Sequence, residues 1–376
     1  MIQRLIEKQV DQRWNDPKAL IVLGPRQVGK TTFLKDLAKN KPEAVWWNGD
    51  DFEVRKMLEN PNSKQLEAII GSSKLLIVDE AQRIENIGIC LKLIIDTMPH
   101  VKVVASGSSA FELANRINEP LTGRKWEFRM FPVSYAEMVA HHGLLDEMRL
   151  LDHRLVFGYY PDVINNPGDE REVLGQLADS YLYKDILTWE KVMKPEKLEK
   201  LAQALAFQVG NQVSYNELGQ MTGLNSATVE NYVQLLEKAF IVFRLPSFSR
   251  NLRNEIKRSR KIYFYDNGLR NAVIQQFNTL ELRNDIGALW ENFLVSERMK
   301  HLHYSNIRCN RFFWRNHAQA EVDYLEEHDG KIHAFEFKRS PKVNVKFPKA
   351  FLDAYDLEST SIINAETYRE FVMGMF

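Results

Sequence analysis

The chain is poor in cysteine: Cys90 and Cys309 are its only two, far apart and in no CxxC spacing. That scarcity excludes a disulfide framework and a structural zinc site, and it suits a reducing cytosol. An excess of charge of one sign is also missing, since 50 basic side chains face 50 acidic ones among 376 residues. A protein that coats nucleic acid or anionic membrane through bulk electrostatics is thereby excluded, whereas a local basic surface is not. No apolar run approaches the roughly 18 to 20 residues needed to cross a bilayer, because KLLIVDE and VKVVASG are interrupted by charge or glycine. No membrane partner is expected. The amino-terminal stretch MIQRLIEKQVDQRW lacks the apolar run of a secretion signal, so a cytoplasmic location is expected. Internal repeats and low-complexity tracts are absent as well. What is present, 44% hydrophobic and 27% charged residues, is the composition of a folded chain, and the length suits roughly two to three domains.

From Lys18 to about Glu137, short apolar runs (ALIVLG, AVWWN, KLLIVDE, VKVVASG, WEFRMF) alternate with helix-like periods. Alternation of buried strand and helix predicts a parallel sheet covered by helices. Ser134 followed by Glu137 predicts a capping box at the start of the next helix. Beyond the turn-rich segment YYPDVINNPGDERE the pattern becomes helical. Within QVSYNELGQMTGLNSATVENYVQLLEKAF, Ser214 with Glu217 starts one helix, Gly223 ends it, and Asn225 or Ser226 caps a longer one. That layout is a helix-turn-helix. The β-rich runs FIVFRLPSF and RKIYFYD follow, which makes a winged helix the economical expectation. The tail supplies the helix ENFLVSERMKHL and strands at RFFWRN, AEVDYLEE and KIHAFEFK, with Asp329-Gly330 as a hairpin turn. The expected domains are 1–145, 146–270 and 271–376.

The sharpest motif is GPRQVGKTT, which fits GxxxxGK[ST] between the strand ALIVL and a helix. Gly24, Pro25, Arg26, Gln27, Val28, Gly29, Lys30, Thr31 and Thr32 form the expected nucleotide-binding loop. Its glycines let backbone N–H groups cradle phosphates, Lys30 reaches the β- and γ-phosphates, and the Thr31 hydroxyl is offered to Mg²⁺. KLLIVDEAQ then delivers Asp79 and Glu80 to the carboxyl end of a buried strand, Asp79 to support the metal and Glu80 to polarise the attacking water. The strand VKVVAS ends at Ser106-Gly107-Ser108-Ser109, where a hydroxyl can sense the γ-phosphate. ATP and Mg²⁺ are the expected cofactors.

GPRQVGKTT, IVDEAQ, SGSSAFEL, LTGR, YYPDV, YDNGLRNA, the segment Trp290-Glu291-Asn292-Phe293, and EVDY with FEFK together resemble the prokaryotic ATP-binding proteins that join an AAA-type ATPase domain to a conserved carboxy-terminal domain of unknown function. The resemblance covers nearly the whole chain. It implies an AAA-type sheet, a helical and winged-helix middle, and a tail similar to the PD-(D/E)xK nuclease fold. It also implies that Lys30, Thr31, Asp79 and Glu80 hold their motif roles, and that Arg124 in LTGR acts on the γ-phosphate in cis or from a neighbouring subunit, as in a homo-oligomer.

In the tail, Glu291 on a helix, Asp323 on a strand and Glu336-Phe337-Lys338 on the next have the order and element types of a PD-(D/E)xK site. There the acids Glu291, Asp323 and Glu336 bind a divalent metal while Lys338 orients a water toward a phosphodiester. The alternative is a salt-bridged hairpin on a degenerate nuclease scaffold. The helix SATVENYVQLLEKA carries Glu230 and Glu237 against a single Lys238, a poor set for approaching phosphates. The segment 250–261, with Arg250, Arg253, Lys257, Arg258, Arg260 and Lys261, is the better candidate for lying along a DNA or RNA backbone. His301 with His303, and His141 with His142, have no partner ligands at metal spacing. The leading expectation is an AAA-type ATPase acting on nucleic acid. Its alternatives are a slow nucleotide-gated switch that binds a protein partner, and a metal-dependent nuclease licensed by ATP.

Overall fold

A computed structural model describes residues 1–39, 43–108, 117, 120–180, 194–249, 260–343 and 345–374. The chain divides into two units, Met1–Val133 with Lys238–Phe240, and Ser134–Glu237 with Ile241–Phe376.

In the first unit, the helix α1 (Ile6–Gln12) precedes β1 (Ala19–Leu23), whose ALIVL side chains are all buried. An uninterrupted apolar strand is stable only when covered on both faces, which is the position of a central strand in a parallel sheet. The sheet has the order β2-β3-β4-β1-β5, with β2 at Ala44–Asn48, β3 at Leu75–Asp79, β4 at Lys102–Gly107 and β5 at Lys125–Arg129. All four pairings are parallel. The helix α2 (Lys30–Ala38) follows β1, α3 (Phe52–Met57) and α4 (Ser63–Ile70) join β2 to β3, and α5 (Ile87–Thr97) joins β3 to β4. The carboxyl ends of β1, β3 and β4 therefore meet on one edge, where open α/β sheets bind their ligands.

The second unit begins where Ser134 accepts the Glu137 N–H and Glu137 returns a bond to the Ser134 N–H, the capping box expected from sequence. Helices Pro195–Phe207, Tyr215–Thr222 and Ser226–Lys238 lead into a three-stranded sheet of order β6-β8-β7, formed by Gln212–Val213, Arg260–Phe264 and Val242–Pro246. Gly223 ends the middle helix at φ +66°, and Asn225 Oδ1 accepts the Thr228 N–H at 2.8 Å to start the next. The long helix Ile286–Tyr304 is buried along most of its length. A four-stranded sheet follows in the order β12-β11-β10-β9, with β9 at Asn310–Arg315, β10 at Glu321–His328, β11 at Lys331–Phe337 and β12 at Ser359–Ile363. β10 pairs antiparallel with both β9 and β11, and β12 adds parallel to β11. Asp329 and Gly330 both adopt positive φ (51° and 79°) between β10 and β11, as a tight hairpin requires. Phe248, Trp314, Val322, Leu325, Ile332, Ala334 and Phe351 form a core on this sheet.

The compact units divide at 133/134, and the helical middle and the tail lie together in the second of them. The reason is polar as well as apolar. The Tyr135 N–H donates to Glu297 at 2.7 Å, its hydroxyl meets that of Tyr368 at 3.0 Å, and Asn292 bonds both main-chain groups of Phe264. Buried bonds of this range hold the helical middle and the tail as one packed body.

Candidate functional site

The loop after β1 is shaped by close approach. A Cβ on Gly24 would collide with the Met130 carbonyl, and Gln27 and Gly29 both take positive φ, 58° and 92°. From that turn α2 starts at Lys30, so the helix amino terminus faces the loop it closes. The Lys30 ammonium is buried and donates to the carbonyls of Gly24 at 2.9 Å and Pro25 at 2.6 Å. Arg4, which the sequence did not single out, pins the loop from below: its guanidinium donates to Val28 O and to Phe131 O, each at 2.6 Å. Val28 is buried, Arg26 is half-buried, and Gln27, Thr31 and Thr32 are exposed.

In the first turn of α2, the Thr31 hydroxyl donates to Asp79 Oδ2 at 2.7 Å, so the two expected Mg²⁺ partners are adjacent. Ser106 donates to the other oxygen, Asp79 Oδ1. Glu80 stands at φ +49°, its N–H shared between Asp79 Oδ1 (3.2 Å) and Ser106 Oγ (3.3 Å). Gln82 is the second residue that sequence inspection passed over. Its buried side-chain amide donates to Glu80 Oε2 at 2.5 Å and to Ser108 Oγ at 2.8 Å, joining the expected base to the end of β4. Ser109 lies outside the described residues. The donor set fits Mg²⁺, an ion that takes one hydroxyl and one carboxylate from the protein and keeps water and phosphate oxygens for its other positions.

Arg124 is found elsewhere. Its carbonyl accepts the Ala19 N–H at 2.9 Å, and Ala19 pairs with Lys125 at the start of β1. That is the edge of the sheet opposite the phosphate loop, about 13 Å away along a five-residue strand. The guanidinium turns to Asp96 at 2.8 Å. The strand register thus sets Arg124 away from the phosphate loop of its own protomer.

The tail residues Glu291, Asp323, Glu336 and Lys338 do converge. Asp323 Oδ2 accepts the Phe337 N–H at 2.8 Å, and Lys338 Nζ lies 3.7 Å from Asp323 and 3.5 Å from Glu336. Burial, reinforced by the neighbouring Asp323, pushes the Glu336 carboxyl up to about 8. Lys261 does not lie along a solvent face as the basic segment suggested. It is 1% exposed, and its ammonium reaches Glu291 at 2.9 Å and Glu321 at 2.6 Å. Burial pulls this ammonium down, but Glu291, Glu321 and Asp323 outweigh it and hold it above the ordinary lysine value. Among the described residues no group of three or more His, Cys, Asp or Glu side chains is arranged to hold a metal, so the expected set of Glu291, Asp323 and Glu336 does not fit one. Arg260 packs its guanidinium over the Tyr215 ring at 4.4 Å. Residues 250–259, with Arg250, Arg253, Lys257 and Arg258, lie outside the described residues.

With this geometry in view, residues 16–139 match the family model described as an AAA domain. Residues 148–280 and 286–372 match two models each described as a domain of unknown function. An uncharacterised protein of Mycobacterium tuberculosis is 25% identical over 345 residues, covering 89% of this chain and 74% of its own. One from Haemophilus influenzae is 24% identical over 278 residues, 68% of either chain. Among solved structures, a Walker-type ATPase of Pyrococcus abyssi is similar over 73% of this chain and 96% of its own, at 12% identity and a TM-score of 0.49. No helix among the described residues is long and apolar enough to cross a membrane. The parallel five-stranded sheet and the loop built around Lys30 lie within the residues that match the AAA domain model.

Proposed function

We propose that the chain is a Mg²⁺-dependent ATPase whose turnover is restrained by its own hydrogen bonds. The reading rests on the contact between Thr31 and Asp79 directly beneath the Lys30 loop. When Mg·ATP binds, Lys30 exchanges the Gly24 and Pro25 carbonyls for phosphate oxygens, and the helix amino terminus adds its favourable dipole end. Thr31 and Asp79 are the residues that would hold Mg²⁺ at this position. The ion supplies charge neutralisation on the phosphates. Glu80 takes up the proton of the attacking water.

The bond from Gln82 to Glu80 supports slow turnover, because the carboxylate must give up this donor before that oxygen can accept from the attacking water. That feature favours the reading of a slow nucleotide-gated switch that binds a protein partner over that of an ATPase acting on nucleic acid. An action on DNA or RNA rests on Arg250, Arg253, Lys257 and Arg258, because Arg260 and Lys261 are engaged within the protein. Arg124 is left to act from a neighbouring subunit, in a homo-oligomer. ATP hydrolysis measured with and without Mg²⁺ and DNA, for the wild type and Glu80→Gln, tests the proposal. Glu80→Gln is expected to bind ATP and to lose hydrolysis by on the order of 10² to 10⁴-fold. Hydrolysis at the wild-type rate in that variant refutes the assignment of the base.

A further inference from the structure

Lys261 is a lysine in the interior, and a charged group so far from water needs opposite charge beside it. It finds Glu291 Oε1 at 2.9 Å and Glu321 Oε1 at 2.6 Å. Tyr263, two residues on and therefore on the same face of β8, donates to the same Glu291 oxygen at 2.6 Å. The other oxygen of Glu291 faces Gly210, where an added Cβ would stand only 3.2 Å from it. Glu321 also faces Arg315 at 3.4 Å. On the adjoining strands Asp323 accepts the Phe337 N–H, and Lys338 stands against both Asp323 and Glu336. Each of the four carboxylates thus already faces an internal cation or donor. A divalent ion entering here would have to sit within a few ångströms of a buried ammonium, and that repulsion is poorly screened inside a protein.

We propose that Lys261 is the resident cation of this cluster: its ammonium holds the place between Glu291 and Glu321 that a divalent metal would need, and the cluster is a fastening between secondary-structure elements instead of a phosphodiester-cleaving centre. The fastening joins β8 of the three-stranded sheet to the helix Ile286–Tyr304 and to β10 of the four-stranded sheet. An [DE]xK motif on a strand is in this way kept without the metal chemistry it usually serves. The inference stands whether or not the amino-terminal unit hydrolyses ATP.

The test is titration of Mn²⁺ alone into the full chain without nucleotide, followed by electron paramagnetic resonance and by thermal unfolding. The wild type is expected to take up no more Mn²⁺ than Glu291→Gln does, and to show no rise in Tm with Mn²⁺. Lys261→Ser is expected to lower Tm by on the order of 5 to 10 °C, since it removes the buried cation that Glu291 and Glu321 share. It is also expected to gain a Mn²⁺ site that restores part of the loss and disappears in the double variant with Glu291→Gln. Should Lys261→Ser fail to fold, the wild-type titration still decides. A Mn²⁺ site in the wild type that weakens at least tenfold in Glu291→Gln or Asp323→Asn overturns the proposal, as does Mn²⁺-dependent DNA cleavage that Lys338→Ala abolishes.

Discussion

Lys30 in the first unit and Lys261 in the second are both buried ammonium groups, yet they rest on different partners. Lys30 donates to two carbonyl oxygens of its own loop, whereas Lys261 donates to two carboxylates on other elements. Exchanging a neutral carbonyl for a phosphate oxygen strengthens a charge-assisted bond, so Lys30 is set to receive an anion. Exchanging a carboxylate gains nothing. A buried lysine therefore reads as a ligand-binding group or as a structural one according to what holds it at rest.

The comparison breaks most visibly at Lys261. Lys261→Met takes the shared cation from Glu291 and leaves Glu321 with Arg315 alone, and should destabilise the second unit by about 3–5 kcal/mol, measured by chemical unfolding. ATP affinity, by contrast, should be set by Lys30. Lys30→Met is expected to weaken Mg·ATP hydrolysis by on the order of 10² to 10³-fold with a smaller change in unfolding. An inverted result, with stability carried by Lys30 and nucleotide by Lys261, breaks the distinction.

A subtler difference is in pH. Glu336 ordinarily titrates at 4.5 and is pushed up to about 8 in the folded protein, so the native state holds this proton more tightly than the unfolded chain does. Its contribution is complete below about pH 4.5 and is lost as pH rises toward 8. Tm of the second unit should decline over that window, and Glu336→Gln should flatten the decline. The smallest effect is expected at Arg124, where the half-exposed pair with Asp96 is worth no more than about 1 kcal/mol. With Arg124→Ala, ATP binding to an isolated protomer should match the wild type, and a loss of hydrolysis confined to assembled protein would point to action between subunits.

What could be read from the sequence was what is local in it. The phosphate loop, the strand that delivers Asp79 and Glu80, the capping box at Ser134 and the Asp329-Gly330 turn are each specified by residues a few positions apart. Other features join distant residues. Arg4 reaches Phe131 across 127 positions, and Lys261 reaches Glu291 across 30, so neither leaves a local pattern. Gln82 lay within the IVDEAQ motif, but its two partners depend on how β3 and β4 register. β12 was missed because STSII mixes hydroxyls with only two large apolar residues. The choice between action in cis and from a neighbouring subunit was open for Arg124 for a different reason: chain order says that it precedes β5, and the pairing of Ala19 with Lys125 shows which end of the sheet that is.

The claim on which the account turns is that the loop around Lys30 grips the phosphates of ATP. Calorimetric titration of Mg·ATP into the full chain, beside Lys30→Met, measures it most directly. The account predicts one site per chain, weakened on the order of 10²-fold or more in the variant. No heat of association with the wild type, or equal affinity in the variant, would contradict it.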